Sequence, residues 1–417
     1  MSGWQTRRLG DLCTQVTVGH VGKMSDQYVD AGVPFLRSQD IRPGFIELGD
    51  LKYISPEFHK RLRKSRLSPG DVAIVRTGYP GTAAVIPGDL PDANCADLVI
   101  ARPGPTLDAR FLAFVLNSPW GKGQIGGRLV GAAQQHFNVR VAQALEIPFP
   151  PLETQRRIAS ILGAYDDLIE VNRRRVAVLE EMARGLFEEW FVRFRFPGHE
   201  SAPLVDTPDG PRPQGWTRGQ AKDVIAFDPK TKIPKDDDKP FIPMGHLDTV
   251  TSLIASPESR KGNSGAKFRN WDTLFARITP CLENGKTGLV RDLPGVNGIG
   301  FGSTEFIVMR GERSGPAFTY CLSRLPGFRD HARSSMSGAT GRQRARTESV
   351  ATYAMAIPAS DDLFDRFESA AWPMLELVGK LGSMNERLAT SRDLLLPRLI
   401  SGQLSVEAAE RDLELAA

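Results

Sequence analysis

The segment GWQTRRLGDL, residues 3 to 12, returns in outline as GWTRGQAKDV from Gly215, with Trp4 to Asp11 and Trp216 to Asp223 at one spacing. PFLRSQDI from Pro34 answers PFIPMGHL from Pro240, and GDVAIVRTG from Gly70 answers WDTLFARIT from Trp271. Further on, GAAQQHFNV from Gly131 answers GATGRQRAR from Gly338. Each copy closes on an Ile-Pro, at Ile147 and Ile357, and each is followed by a helix-like segment. LEEMARGLF at Leu179 and LATSRDLLL at Leu388 set those two segments in one register. Self-similarity of this kind constrains architecture more than any local propensity. The expected order is globular, helix, globular, helix. Residues 1–150 and 215–358 form the globular copies, 151–198 and 359–404 the helices, 199–214 a Pro- and Gly-dense linker, and 405–417 a tail.

Short β-like runs such as VAIVR, TLFARI and EFIVMR, punctuated by Gly, Pro and Asn, make each copy a compact mixed domain, α/β (α+β) in class. At 417 residues the chain exceeds one hydrophobic core, and 41% hydrophobic residues suffice to fold without a metal or disulfide staple. Cys13, Cys95, Cys281 and Cys321 form no CxxC pair, which fits a reducing compartment and predicts no zinc site. The N-terminal residues lack a signal-like apolar stretch, and no apolar run is long enough to span a bilayer. A cytoplasmic protein that makes no membrane contact is expected.

From Leu152 to Phe194 there is no proline, and apolar residues recur at steps of three and four. A heptad reading puts Ile158, Tyr165, Asn172, Leu179 and Leu186 at a, and Ile161, Leu168, Arg175, Met182 and Glu189 at d, with Leu162, Ile169, Val176 and Trp190 at e. The second segment places Phe367, Met374, Leu381, Leu388 and Leu395 at a. Pro373 predicts a kink there and, with Gly379 and Gly382, only partial pairing. Two such stripes joined through a whole domain close most simply as an antiparallel coiled coil. Asn172 in the seam either fixes the register of pairing or binds water or a loop. Basic and acidic residues are equal in number between Glu153 and Arg195, so the helix itself is not expected to face a polyanion.

Signatures of catalysis fail. ENGKTGLV has Pro280 where a P-loop needs glycine, and GIGFGS, residues 298 to 303, leads into strand-like TEFIVMR instead of opening a helix. PFPP at Pro148 lacks the leading Asn or Asp of an adenine-methyltransferase motif, and HExxH and GxSxG do not occur. Basic residues instead concentrate in the globular copies, within a net charge of +4. HKRLRKSR, residues 59 to 66, offers Lys60 and Arg63 as phosphate contacts. The corresponding loops offer Arg128, Gln134, Gln135, His136 and Asn138 in the first copy and Arg342, Gln343, Arg344 and Arg346 in the second. Arginine reads guanine edges bidentately, and amides read adenine or position phosphates. Arg37, Ser38, Gln39, Arg42, Arg76 and Thr77, with Arg277, Thr279 and Lys286, complete the candidate set.

The chain resembles the specificity subunit of Type I restriction-modification systems. The resemblance rests on PFLRSQDI with RPGFI, GDVAIVRTG, the GAAQQHFNV and GATGRQR loops, IPFPPLETQRRIASILGAYDDLIEVNRRR, and LLLPRLISGQLSV, and it covers almost the full length. It implies a non-catalytic DNA-recognition subunit whose two globular copies are target recognition domains, each reading part of a bipartite, asymmetric site in double-stranded DNA. The helices would then be the spacer and would dock two modification subunits, through residues such as Ile158, Tyr165, Asn172, Leu179, Leu186, Phe367, Leu381, Leu388 and Leu395. The resemblance also implies that no cofactor is bound directly, since S-adenosylmethionine, ATP and Mg belong to partner subunits. Motor-nuclease (restriction) subunits join afterwards, and no small-molecule substrate is expected. HLDTV, residues 246 to 250, departs from the more polar SQDIRPG of the first copy. Two other classes stay open: a coiled-coil adaptor that recruits proteins without touching DNA, and a self-sufficient methyltransferase.

Overall fold

The computed structural model of the protein describes residues 4–90, 92–129, 137–295, 298–338 and 343–416, with backbone only at 128, 129 and 412–416. The chain divides into two compact units, Met1–Ile169 with Glu386–Ala417, and Glu170–Asn385. Each long helix contributes to both units.

In the first unit a four-stranded antiparallel sheet runs in the order Ala83–Val85, Val72–Val75, Leu98–Pro103, Cys13–Val18. The Val72–Val75 strand is buried on both faces, and alternate side chains reach two different cores. Val72, Ile74, Val99 and Ala101 meet helix Ala109–Asn117 and Ile158 and Leu162 of the first long helix. Ala73, Val75, Leu98 and Ile100 pack instead with Leu36, Leu67 and Cys95 of a five-stranded sheet. The period of two along a strand thus produces three layers: helices, first sheet, second sheet. In the second sheet the order is Tyr28–Val29, Lys52–Ile54, Val33–Leu36, Ala93–Cys95, Arg66–Leu67, with one parallel pair, Val33–Leu36 beside Ala93–Cys95.

The second unit repeats the plan of both sheets. Its first sheet runs Thr287–Leu289, Thr273–Ala276, Phe306–Gly311, Ile225–Phe227. Its second runs Glu258–Arg260, Lys239–Ile242, Ile299–Gly302, Ala266–Arg269, again with one parallel pair, Lys239–Ile242 beside Ile299–Gly302. The strand Tyr28–Val29 has no equivalent in that sheet. The duplicated sequence blocks occupy duplicated places. Asp71 and Asp272 open the matching strands, each accepts a backbone N–H from three residues earlier (Ser68, 3.0 Å; Arg269, 2.8 Å), and each pairs with an arginine of the neighbouring strand, Arg102 at 3.4 Å and Arg310 at 2.7 Å. Thr6–Arg8 pairs with Glu146–Pro148 and Thr217–Gln220 with Ala354–Ile357, so each Ile-Pro closes its copy against the strand that opened it.

The first long helix spans Leu152–Phe187 and runs into a π turn at Glu188–Val192; the second spans Asp362–Ile400. Gln155, buried in the PPLETQRRI start, donates to the carbonyls of Pro150 (2.8 Å) and Thr106 (3.1 Å) and accepts from the N–H of Asp108 (2.9 Å). The PPLETQRRI start therefore staples the helix to its own globular copy. In the first unit the helices pair antiparallel: Ile158, Ile161 and Leu162 share a core with Leu396, Leu399 and Ile400, Arg392 pairs with Asp166, and Arg157 with Glu407 at 2.7 Å and Glu410 at 2.7 Å. Pairing is antiparallel in the second unit too. Val176 meets Val378 and Leu381, and Phe187 and Trp190 lie 6.0 and 5.8 Å from the ring of Phe367. Asn172 is buried and donates to the side-chain oxygen of Asn385 at 3.0 Å, which settles its alternatives in favour of a cross-helix partner.

Two helix expectations need correction. The buried row is Ile158, Leu162, Ile169, Asn172, Val176, Ala183 and Phe187, whereas Leu168 and Met182 of the d row are 37% and 50% exposed. A straight helix drifts by about 20° per heptad against a strict seven-residue repeat, so the packed face moves from d to e along this length. The second helix is continuous through Pro373. Pro373 and Ser369 lie on the exposed side, so the carbonyl freed by the missing N–H faces water, while Ala371 and Leu375 on the other side are locked into the aromatic core. Gly379 and Gly382 do not weaken the pairing; they admit close neighbours. A Cβ would lie 2.7 Å from Arg291 Cδ at Gly379 and 2.5 Å from Leu253 Cδ2 at Gly382.

Candidate nucleic-acid interface

Both copies bring together candidate residues far apart in sequence. In the second copy the strand Thr273–Ala276 extends into Arg277, Ile278 and Thr279, and the segment Gln343–Ala345 lies against that extension. Thr279 N–H donates to the Gln343 carbonyl (3.1 Å), Gln343 N–H to the Thr279 hydroxyl (3.1 Å) and Ala345 N–H to the Arg277 carbonyl (2.8 Å). Arg277 returns a bond from Nε to the Ala345 carbonyl at 3.1 Å. The exposed Arg344 forks onto both oxygens of Glu305, at 2.7 to 3.0 Å, which fixes a planar guanidinium at the surface. Arg346 is exposed at the start of helix Thr347–Ala351.

In the first copy Phe137 N–H donates to the Arg76 carbonyl at 3.3 Å, the counterpart of the Ala345 to Arg277 bond. Arg76 pairs with Asp97 as Arg344 pairs with Glu305. Asp97 and Glu305 each immediately precede the matching strands Leu98–Pro103 and Phe306–Gly311. Asn138 caps helix Val139–Gln143 by accepting from Val141 N–H at 3.0 Å, at the position that Arg346 takes in the second copy. Gln134, Gln135, His136 and Arg342 lie outside the described residues, as does the side chain of Arg128.

The remaining candidates are placed elsewhere. Arg37 is bound to Asp40 by two side-chain contacts (3.0 and 2.8 Å) and to the Asp50 carbonyl (2.6 Å), which shapes the Ser38–Asp40 turn and leaves Gln39 and Arg42 exposed. Thr77 is half-buried. Lys286 donates to the Met244 carbonyl at 3.0 Å. In HKRLRKSR, His59 is buried beside Asp92 (3.2 Å) and Arg66 forks onto the same carboxylate, so Lys60, Arg61, Arg63 and Lys64 are the cations left facing solvent. The Arg66 guanidinium holds the Asp92 carboxyl below its usual range.

Sequence reading missed a cleft of ≈ 610 Å³ in the second unit, lined among others by Lys230, Thr231, Lys232, Lys267, Arg277 and Phe306. Its signal was the basic alternation PKTKIPK from Pro229, which no repeat block covers. Arg277 links this cleft to the Gln343–Ala345 segment. Four cations against the single carboxylate of Asp228 suit an oligoanion. Among the described residues no helix is long and apolar enough to cross a membrane.

Residues 1–181 match the family described as Type I restriction modification DNA specificity domain. The Type I restriction enzyme MjaIX specificity subunit of Methanocaldococcus jannaschii is 25% identical over 279 residues, covering 63% of this chain and 61% of that protein. The EcoAI specificity subunit of Escherichia coli is 32% identical over 139 residues, covering 32% of this chain and 23% of that protein. The chain spans about three fifths or less of the length of the curated relatives it matches, at 61%, 50% and 49% for three from Methanocaldococcus jannaschii. The Type I restriction-modification S subunit from M. genitalium shares the fold, with a TM-score of 0.57 at 13% identity over 95% of this chain and 96% of that one. Residues 1–181 thus match the Type I specificity-domain family, and the chain as a whole, with its duplicated sandwich and two antiparallel helices, is similar in fold to a Type I restriction-modification S subunit.

Proposed function

We propose that this chain is the DNA-reading subunit of a Type I restriction-modification assembly, non-catalytic itself, and that its two copies read the two parts of a bipartite, asymmetric site. On this reading residues 1–150 and 215–358 are the target recognition domains. The carrying observation is the duplicated junction: in each copy the segment after the paired helices docks on the end of one strand, beside Arg76 or Arg277. A guanidinium held by a carboxylate is pre-oriented for bidentate contact with a guanine edge. Lys60 and Arg63 in one copy and Lys230, Lys232 and Lys267 in the other face the phosphates, which set register without reading sequence. The long helices act as the spacer, and the modification subunits dock along them, bringing S-adenosylmethionine, ATP and Mg; restriction subunits join that complex.

Selection of duplexes from a random library by the full chain, with salt-titrated gel shifts, tests this reading. The expected result is a two-part motif and binding that weakens steeply with salt, with a shallower slope in Lys60→Ala/Arg63→Ala and an unchanged motif. Absence of salt-sensitive duplex binding would replace this reading with the adaptor alternative.

A further inference from the structure

The first copy carries an aromatic side chain that its own fold does not use. Tyr79 is 83% exposed, more than any other large apolar or aromatic residue among those described. It sits at the tip of the turn joining Val72–Val75 to Ala83–Val85, three residues beyond Arg76. An exposed tyrosine on a loose loop would carry no meaning. This turn is tied at every step: Tyr79 N–H donates to the Thr77 carbonyl (3.1 Å), Thr82 N–H to the Tyr79 carbonyl (3.2 Å), Gly81 N–H to the Val75 carbonyl (2.9 Å) and Val75 N–H to the Thr82 carbonyl (2.8 Å). Gly78 and Gly81 take left-handed backbone, φ 81° and 89°. At Gly81 a Cβ would lie 2.4 Å from Ile125 of helix Pro119–Leu129, so the turn is pressed onto that helix at this point. The second copy has no such side chain, since after Arg277 the chain continues through Ile278, Thr279, Pro280, Cys281 and the buried Leu282.

We infer that Tyr79 is a base-stacking residue of the first recognition domain, its ring packing on the bases of one step in the half-site and partly unstacking that step. This rests on the DNA-reading function proposed above. A rigid aromatic with two rotatable bonds loses little conformational freedom on ordering, and base-aromatic stacking needs no hydrogen-bond match. A ring held next to the docked Arg76 junction meets the same stretch of duplex that the arginine meets. The two copies then differ: the first adds deformability of a base step to its direct contacts, and the second adds a cationic cleft that holds phosphates.

The probe is the duplex selected from the random library, with 2-aminopurine moved through each position of the first half-site, bound by the full chain. Wild-type chain is expected to raise fluorescence at one step. Tyr79→Trp is expected to retain the rise. Tyr79→Ala is expected to abolish it and to weaken binding by about ten- to a hundredfold, the range of one lost stacked base. Tyr79→Ala should unfold at the wild-type temperature because the ring buries almost nothing, so loss of folding does not confound the result. Sequence-selective binding that Tyr79→Ala leaves unchanged, with no fluorescence rise in wild type, overturns the stacking role while sparing the DNA-reading function. Failure of wild-type chain to bind any duplex overturns both.

Discussion

Glu180 of the first long helix is fully buried, accepts from Ser252 N–H at 2.6 Å and from the Tyr320 hydroxyl at 2.7 Å, and so joins the helix to the second globular copy. The Tyr320 hydroxyl accepts in turn from Arg324 Nε at 3.0 Å, and Arg291 donates to the Ser252 hydroxyl (2.8 Å) and to the Leu375 carbonyl of the second long helix (3.0 Å). Glu180→Ala deletes two charge-assisted bonds, orphans a buried N–H and a buried hydroxyl, and removes the negative charge that acts on the buried Arg291 guanidinium. Removing one partner from such a group costs about 3–5 kcal/mol. For a unit of this size each kcal/mol lowers the midpoint by about 2–4 °C, so the second unit is expected to melt about 6–20 °C earlier. Glu180→Gln retains one acceptor oxygen and should lose roughly half as much. Scanning calorimetry gives the midpoint. Tryptophan fluorescence weights the signal toward the second unit, which holds Trp190, Trp216, Trp271 and Trp372, against Trp4 and Trp120 in the first. Paired with Tyr320→Phe in a double-mutant cycle, Glu180→Ala should show a coupling of about 1–3 kcal/mol. A loss under about 1 kcal/mol, or a loss confined to the first unit, would refute the reasoning that a buried polar lock mounts the second globular copy on the helix.

Arg344→Ala should relax one half-site, with each lost base contact worth about 1–3 kcal/mol. Glu305→Gln, which frees the guanidinium without removing it, should relax the same positions less; unchanged methylation preference in both variants counts against the assignment. Glu368 accepts from the N–H groups of Ala317 (3.0 Å) and Phe318 (2.8 Å), and burial pushes its carboxyl up from 4.5 to about 7. Its folded value lies above its unfolded one, so between those limits the folded state keeps a proton that the unfolded chain has lost. Stability therefore falls as pH rises from about 4.5 to about 7, by on the order of 3 kcal/mol. Denaturant titrations across that range should show the slope in the wild type and a flatter one in Glu368→Gln.

The duplication was legible because blocks such as GDVAIVRTG and WDTLFARIT fill equivalent strands buried on both faces, where sequence tolerates little. The helices were legible from their apolar period, but the packed face was misassigned at Leu168 and Met182, because a heptad template hides the drift of an unsupercoiled helix. Pro373 misled for a related reason: a proline on the wet side of a helix costs one hydrogen bond that water replaces. Arg76 and Arg344 could be singled out by residue type, whereas their carboxylate partners Asp97 and Glu305 lie 21 and 39 residues away in sequence and become visible only once the strands pair. The Lys230 and Lys232 cleft and Tyr79 were missed because neither belongs to a repeated block.

The central claim, that two similar readers are set apart by a helical spacer, is tested most directly by adenine-methylation sequencing of cells that carry lengthened helices. Asn172 faces Asn385, so matched insertions belong after Val171 and after Asn385. Adding four residues at each place, about one helical turn, should leave both half-sites intact and change the number of unread base pairs between them. An unchanged spacing, or a methylation pattern that does not depend on this chain at all, would contradict the account.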